Sequence, residues 1–190
     1  MSSAAPFASA GNILRRFRRS RRASAAVEFA LVAPIFFALL FAIIETAVIF
    51  FASQVLETIT QDSARVIATG QSQSGLVTGC ATTGCTQAQF QTYVCGQIPA
   101  LFSCSGVYVD VESCPSASGF SCVAFNSQID SNGNFINNMQ YSPGAPGYIV
   151  VVKLFYLWPL YVTGLGYNIS NVSGSQRLLT ATSVFKNEPF

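Results

Sequence analysis

A small α+β fold built on one long membrane-spanning helix is what this sequence predicts, and three observations carry the expectation. Residues 29–53 form a 25-residue apolar run whose single charged side chain is Glu45. Beyond it lie short segments in which valines alternate with polar residues, the period of strands that bury one face. All six cysteines, Cys80, Cys85, Cys95, Cys104, Cys114 and Cys122, also come after the run.

The first element is a basic leader, residues 1–23. Arg15, Arg16, Arg18, Arg19, Arg21 and Arg22 are six of the ten cationic residues and directly precede the apolar run. Such a cluster marks the cytoplasmic side of a span and attracts anionic membrane lipid. Residues 54–190 carry four cations against six carboxylates, a net charge of −2. The overall charge of +2 therefore hides a basic tail and a mildly acidic exterior, which argues against a nucleic acid partner.

The second element is a transmembrane and stem helix over residues 24–69, with the span at 29–53. About 20 apolar residues cross a ~30 Å hydrocarbon core, so the run is long enough and allows some tilt. An ordinary secretory signal has a shorter apolar core and a small-residue cleavage site, and neither fits here. Ser20-Arg21-Arg22 matches only part of a twin-arginine signal. Residues 54–69 contain no proline or glycine and place Val55, Ile59, Val66 and Ile67 among polar residues, an amphipathic stem that Gly70 should end. Two positions inside the span point to a membrane partner contact. Pro34 removes a helical hydrogen bond and bends the helix. Glu45 puts a carboxylate in hydrocarbon at a cost of a few kcal/mol, to be met by a protein partner or by snorkelling to the interface.

Residues 70–105 read as a cysteine-containing loop region, rich in Gly, Ser, Thr and Gln over 70–89. An even number of cysteines beyond a span suggests disulfides in an oxidising compartment. The chain has no histidine and no C-x-x-C, so a zinc site is not expected. Sequential pairing, Cys80 with Cys85, Cys95 with Cys104 and Cys114 with Cys122, would close three short loops.

Residues 106–190 form the β-rich part. Val107, Val109 and Val111 alternate with Tyr108, Asp110 and Glu112, which implies one packed face and one wet face, with the two acids in solvent. A short return strand is expected near 121–125, a polar loop at 129–138, and further strands at 148–157 and 176–185. Ile149-Val150-Val151-Val152 is too short for a second span, because Lys153 interrupts it and Pro159 follows; it reads as a buried central strand. Three or four antiparallel strands laid on the stem helix, supported by disulfides, complete the fold. No His-based triad, HExxH, P-loop or GxGxxG occurs, so neither enzymatic activity nor a cofactor is expected. A membrane-anchored binding or sensor protein is the alternative class.

The block from Ala23-Ser24-Ala25-Ala26-Val27-Glu28-Phe29 to Pro34, followed by Glu45 and a helix reaching Ala64-Arg65, resembles the TadE-like family of tight-adherence (Flp-type) pilus assembly proteins. The C-terminal part, with Tyr141-Ser142-Pro143-Gly144 and the segments 149–158 and 180–190, is similar to the periplasmic part of such proteins. The resemblance implies a pseudopilin with a pilin-like fold, whose partners are other pseudopilins, the pilus assembly machinery and a prepilin peptidase. It also implies cleavage between Ala23 and Ser24, four residues ahead of the pair Glu28-Phe29. This sequence has Ala23 where glycine is usual and Phe29 where tyrosine is commoner. Glu28 would then neutralise the new α-amino group of Ser24 on a neighbouring subunit; as a helix N-terminal acid it would be stabilised without a partner.

Overall fold

The computed structural model describes residues 21–98, 101–119, 121–123, 127–162 and 167–190, with side chains from residue 25 onward. Arg15, Arg16, Arg18 and Arg19 of the basic leader lie outside the described residues, as do Ala124 and Phe125 of the expected return strand. Helix α1, Arg21–Ala68, runs for 48 residues with Pro34 inside it. It ends at Ala68 because Gly70 takes φ +74° and returns its N–H to the carbonyl of Ile67, the left-handed stop that a glycine supplies. A Cβ at Gly70 would overlap the ring of Phe190.

The chain divides into two compact units, Met1–Ile44 and Glu45–Phe190. In the first, α1 presents Phe29, Leu31, Val32, Ile35, Phe36 and Leu39 as exposed apolar side chains. In the second, the same helix buries Ile49, Ala52, Leu56, Ile59, Ala64 and Ile67 in the core. The expected span of 29–53 therefore overruns into a segment that also packs on a sheet. Hydropathy scores a residue facing lipid and one facing a sheet alike, so the run read as a single piece. Phe50 and Phe51 remain exposed.

Three antiparallel strands follow in the order β1 (Val107–Cys114), β2 (Ile149–Pro159) and β3 (Gln176–Lys186). The register aligns Asp110 with Lys153 and Lys153 with Thr182. β2 is central and buried along most of its length, as its run of β-branched residues implies. Its inner face, with Val107, Val109 and Val111 of β1, joins the helical stripe in one core. Each buried Val or Leu there stabilises the unit by about 1.5–3 kcal/mol.

The outer face departs from expectation. Asp110 and Glu112 are not in solvent; they are 4% and 8% exposed. The loop after β1 folds back over them: Phe135 packs against Tyr108 and Phe155, and Asp110 accepts the N–H of Gln140 at 2.8 Å. A strand pattern shows which residues share a face but not whether a later loop covers that face.

The loop region 70–105 also needs correction, because it contains helix α2, Gln87–Gln97. Thr86 accepts the N–H of Gln89, whose side chain accepts the N–H of Thr86 in return, and this capping box starts the helix. Phe90 and Val94, four residues apart, anchor it in the core. Three disulfides join Cys80 to Cys85, Cys95 to Cys104 and Cys114 to Cys122, with Cα separations of 4.7, 5.4 and 5.7 Å. Residues 121–123 form a turn and bend rather than a strand.

The two sheet edges are treated differently. On β1, the carbonyls of Val107 and Val109 accept the side-chain amides of Gln91 (2.8 Å) and Gln87 (3.4 Å), and Val111 exchanges hydrogen bonds with Gln140 and Ser142. On β3, Gln176 and Leu178 are closed by Asn171 and Val172. Strand parity turns the N–H and C=O of Thr180, Thr182 and Val184 outward, and they meet no hydrogen-bond partner among the described residues.

Candidate functional site: a carboxylate cradled at the head of the globular unit

Glu45 is the first residue of the second unit and is 8% exposed. Its Oε1 accepts the backbone N–H of Tyr161 at 2.6 Å, and the N–H of Val162 reaches Oε2 at 3.1 Å and Oε1 at 3.3 Å. Two successive amides thus form a small anion-binding cradle, with charge-assisted hydrogen bonds. The geometry follows from how β2 ends. Pro159 closes the strand, Leu160 donates its N–H to the carbonyl of Ser175 at 3.0 Å and buries its side chain, and the next two amides are left to face the helix. The hydroxyls of Thr46 and Tyr167 form a further hydrogen bond between α1 and the same connection. The side chain of Tyr161 is 83% exposed.

The carboxylate, expected either to meet a protein partner in the membrane or to snorkel to the interface, accepts backbone amides of its own chain. No residue pattern announces them, since backbone amides carry no sequence signature; the oddity of Glu45 within an apolar run was the available signal.

The other singled-out residues lie on α1 in the first unit. Ala23 and Ser24 have helical backbone, and their side chains lie outside the described residues. Glu28, Phe29 and Pro34 are exposed on the helix. The structure groups none of these with Glu45, which belongs to the second unit.

A charged cluster that joins Lys153 to the two acids expected in solvent lies on the outer face of the sheet. The ammonium of Lys153 contacts Asp110 at 3.2 Å and Glu112 at 2.7 Å, all three buried. Burial pushes the carboxyl of Asp110 above its usual range, against the Gln140 N–H and the Lys153 ammonium, which act to lower it. Desolvation outweighs that pull, and the neighbouring Glu112 carboxylate adds to the rise. Among the described residues, no cluster of His, Cys, Asp and Glu could hold a metal ion.

α1 is the one helix among the described residues long and apolar enough to cross a membrane. Residues 23–65 match the TadE-like protein family. The matched segment contains Ala23, Ser24, Glu28, Phe29, Pro34 and Glu45, so the resemblance read from those residues holds over this stretch. The match does not take in the sheet or the disulfides. No curated protein and no solved structure matches the chain.

Proposed function

We propose that this protein is a pseudopilin-like component of tight-adherence (Flp) pilus assembly, anchored in the bacterial inner membrane by α1. The observation that carries the reading is the TadE-like match over a stretch that is helical throughout and exposes an apolar surface in its first half. The arginine cluster before α1 favours a cytoplasmic N-terminus, and the three disulfides favour an oxidising, periplasmic setting for the globular unit.

On this reading the protein works by packing rather than catalysis. Its helix associates laterally with neighbouring helices in the lipid, and its globular unit makes periplasmic contacts with other pilus components. A prepilin peptidase removes the basic leader by cutting between Ala23 and Ser24. Glu28 then meets the new α-amino group of Ser24 on an adjacent subunit, a charge pair favoured where water is scarce.

Deleting the gene in its host and counting surface pili tests the role. Loss of pili, restored by the intact chain, is the expected result; normal piliation without the protein contradicts the reading.

A further inference from the structure

Tyr161, whose amide reaches Glu45, leaves its ring exposed. Glu28 and Glu45 are the two carboxylates that bracket the lipid-facing part of α1, and at ~1.5 Å per residue the helix advances about 26 Å between them. That approaches the ~30 Å thickness of a hydrocarbon core. With Glu28 at one boundary, Glu45 lies just inside the other. The amides of Tyr161 and Val162 are hydrogen-bonded to Glu45 and so share the depth of its carboxylate. Phe50 and Phe51, both exposed, fall about 8–9 Å further along the helix, within the headgroup layer where aromatic side chains concentrate.

We propose that Leu160-Tyr161-Val162 is a bilayer-contact lip, with the ring of Tyr161 seated at the acyl-chain and headgroup boundary and its hydroxyl toward water. The occupant is phospholipid, and its headgroup charge is immaterial. No charged residue occurs from residue 154 to residue 176, and the nearby carboxylate of Glu45 is already engaged by backbone amides. The lip thus differs from a polybasic lipid contact, which requires anionic headgroups. It also explains how a carboxylate is kept in an apolar helix: the lip brings amide donors to a depth where water supplies few. The inference rests on the membrane reading of α1.

Trp158 is the single tryptophan of the chain, which allows a direct test. The full-length protein carrying Trp158→Phe and Tyr161→Trp is placed in phosphatidylcholine nanodiscs whose acyl chains are brominated either near the glycerol end or near the methyl end. A companion carrying Trp158→Phe and Phe37→Trp reports on the middle of the helix. The lip predicts blue-shifted emission at position 161, quenched more by bromine near the glycerol end, with the opposite preference at position 37. Quenching at 37 together with water-like, unquenched emission at 161 overturns the lip and leaves the span intact. Absence of quenching at both positions overturns the span and the lip together. Quenching at 161 that appears only when anionic lipid is added overturns the claim that headgroup charge is immaterial.

Discussion

Glu45 and Tyr161 are 116 residues apart in sequence and 2.6 Å apart at carboxylate and amide, which ties the loop after the central strand to the helix at the point where the globular unit begins. The carboxylate is thereby supplied with donors by its own chain, and a second membrane helix is not required to satisfy it.

Removing that acceptor has a graded cost. Glu45→Leu strands the amides of Tyr161 and Val162 and should lower stability by about 1–3 kcal/mol, whereas Glu45→Gln keeps one acceptor oxygen and should cost less. Chemical unfolding of the full chain in detergent measures both. A Leu variant as stable as the parent would show that water replaces the carboxylate at no cost.

The buried ion triplet should be intolerant of partial removal. Lys153→Met leaves two carboxylates buried without their cation and should destabilise by about 3–5 kcal/mol, while the combined Lys153→Met, Asp110→Asn and Glu112→Gln protein should recover much of the loss. Equal stability of single and triple variants would contradict this account of the cluster.

Asp110 also gives stability a pH signature. Its carboxyl is raised in the folded state, so its contribution is full below the unfolded value of about 3.9 and is lost as pH rises through the higher folded value. Asp130 runs the other way: the Asn134 N–H holds it low, and its contribution is present above that unfolded value and lost as pH falls through the folded one. Asp110→Asn should therefore flatten a decline in stability above about pH 4. Unfolding curves across that range check the slope, and an unchanged profile would rule out Asp110 as its source.

The asymmetry of the sheet edges should be visible by hydrogen exchange. Amides of Thr180, Thr182 and Val184 face outward and should exchange quickly, while those of Leu179 and Ala181 point to β2 and should be protected. Protection at Thr182 in the isolated protein would mean that the edge is covered.

How much of this was legible in the sequence depends on what each element rests on. α1 announces itself through its long apolar run, β2 through the uninterrupted β-branched segment Ile149–Val152 and β3 through the alternation of Thr180, Thr182 and Val184, and Gly70 ends α1 as its backbone freedom demands. Helix α2 was hidden because its stretch is mostly glutamine, threonine and small residues; only Thr86 and Gln89 at capping-box spacing, with Phe90 and Val94 one turn apart, betray it. Asp110 and Glu112 read as wet because alternation does not reveal that the later loop, with Phe135 against Tyr108 and Gln140 on Asp110, will fold over that face. The Glu45 cradle was illegible for a deeper reason: its donors are peptide groups, placed by where Pro159 and Leu160 turn the chain and not by any side chain.

The mature N-terminus tests the central functional claim most directly. The protein is purified from host membranes, with and without the prepilin peptidase, and its terminus is determined by mass spectrometry. The pseudopilin reading predicts a chain beginning at Ser24 when the peptidase is present and an uncut basic leader when it is absent. An intact leader in pilus-forming cells that contain the peptidase would contradict it.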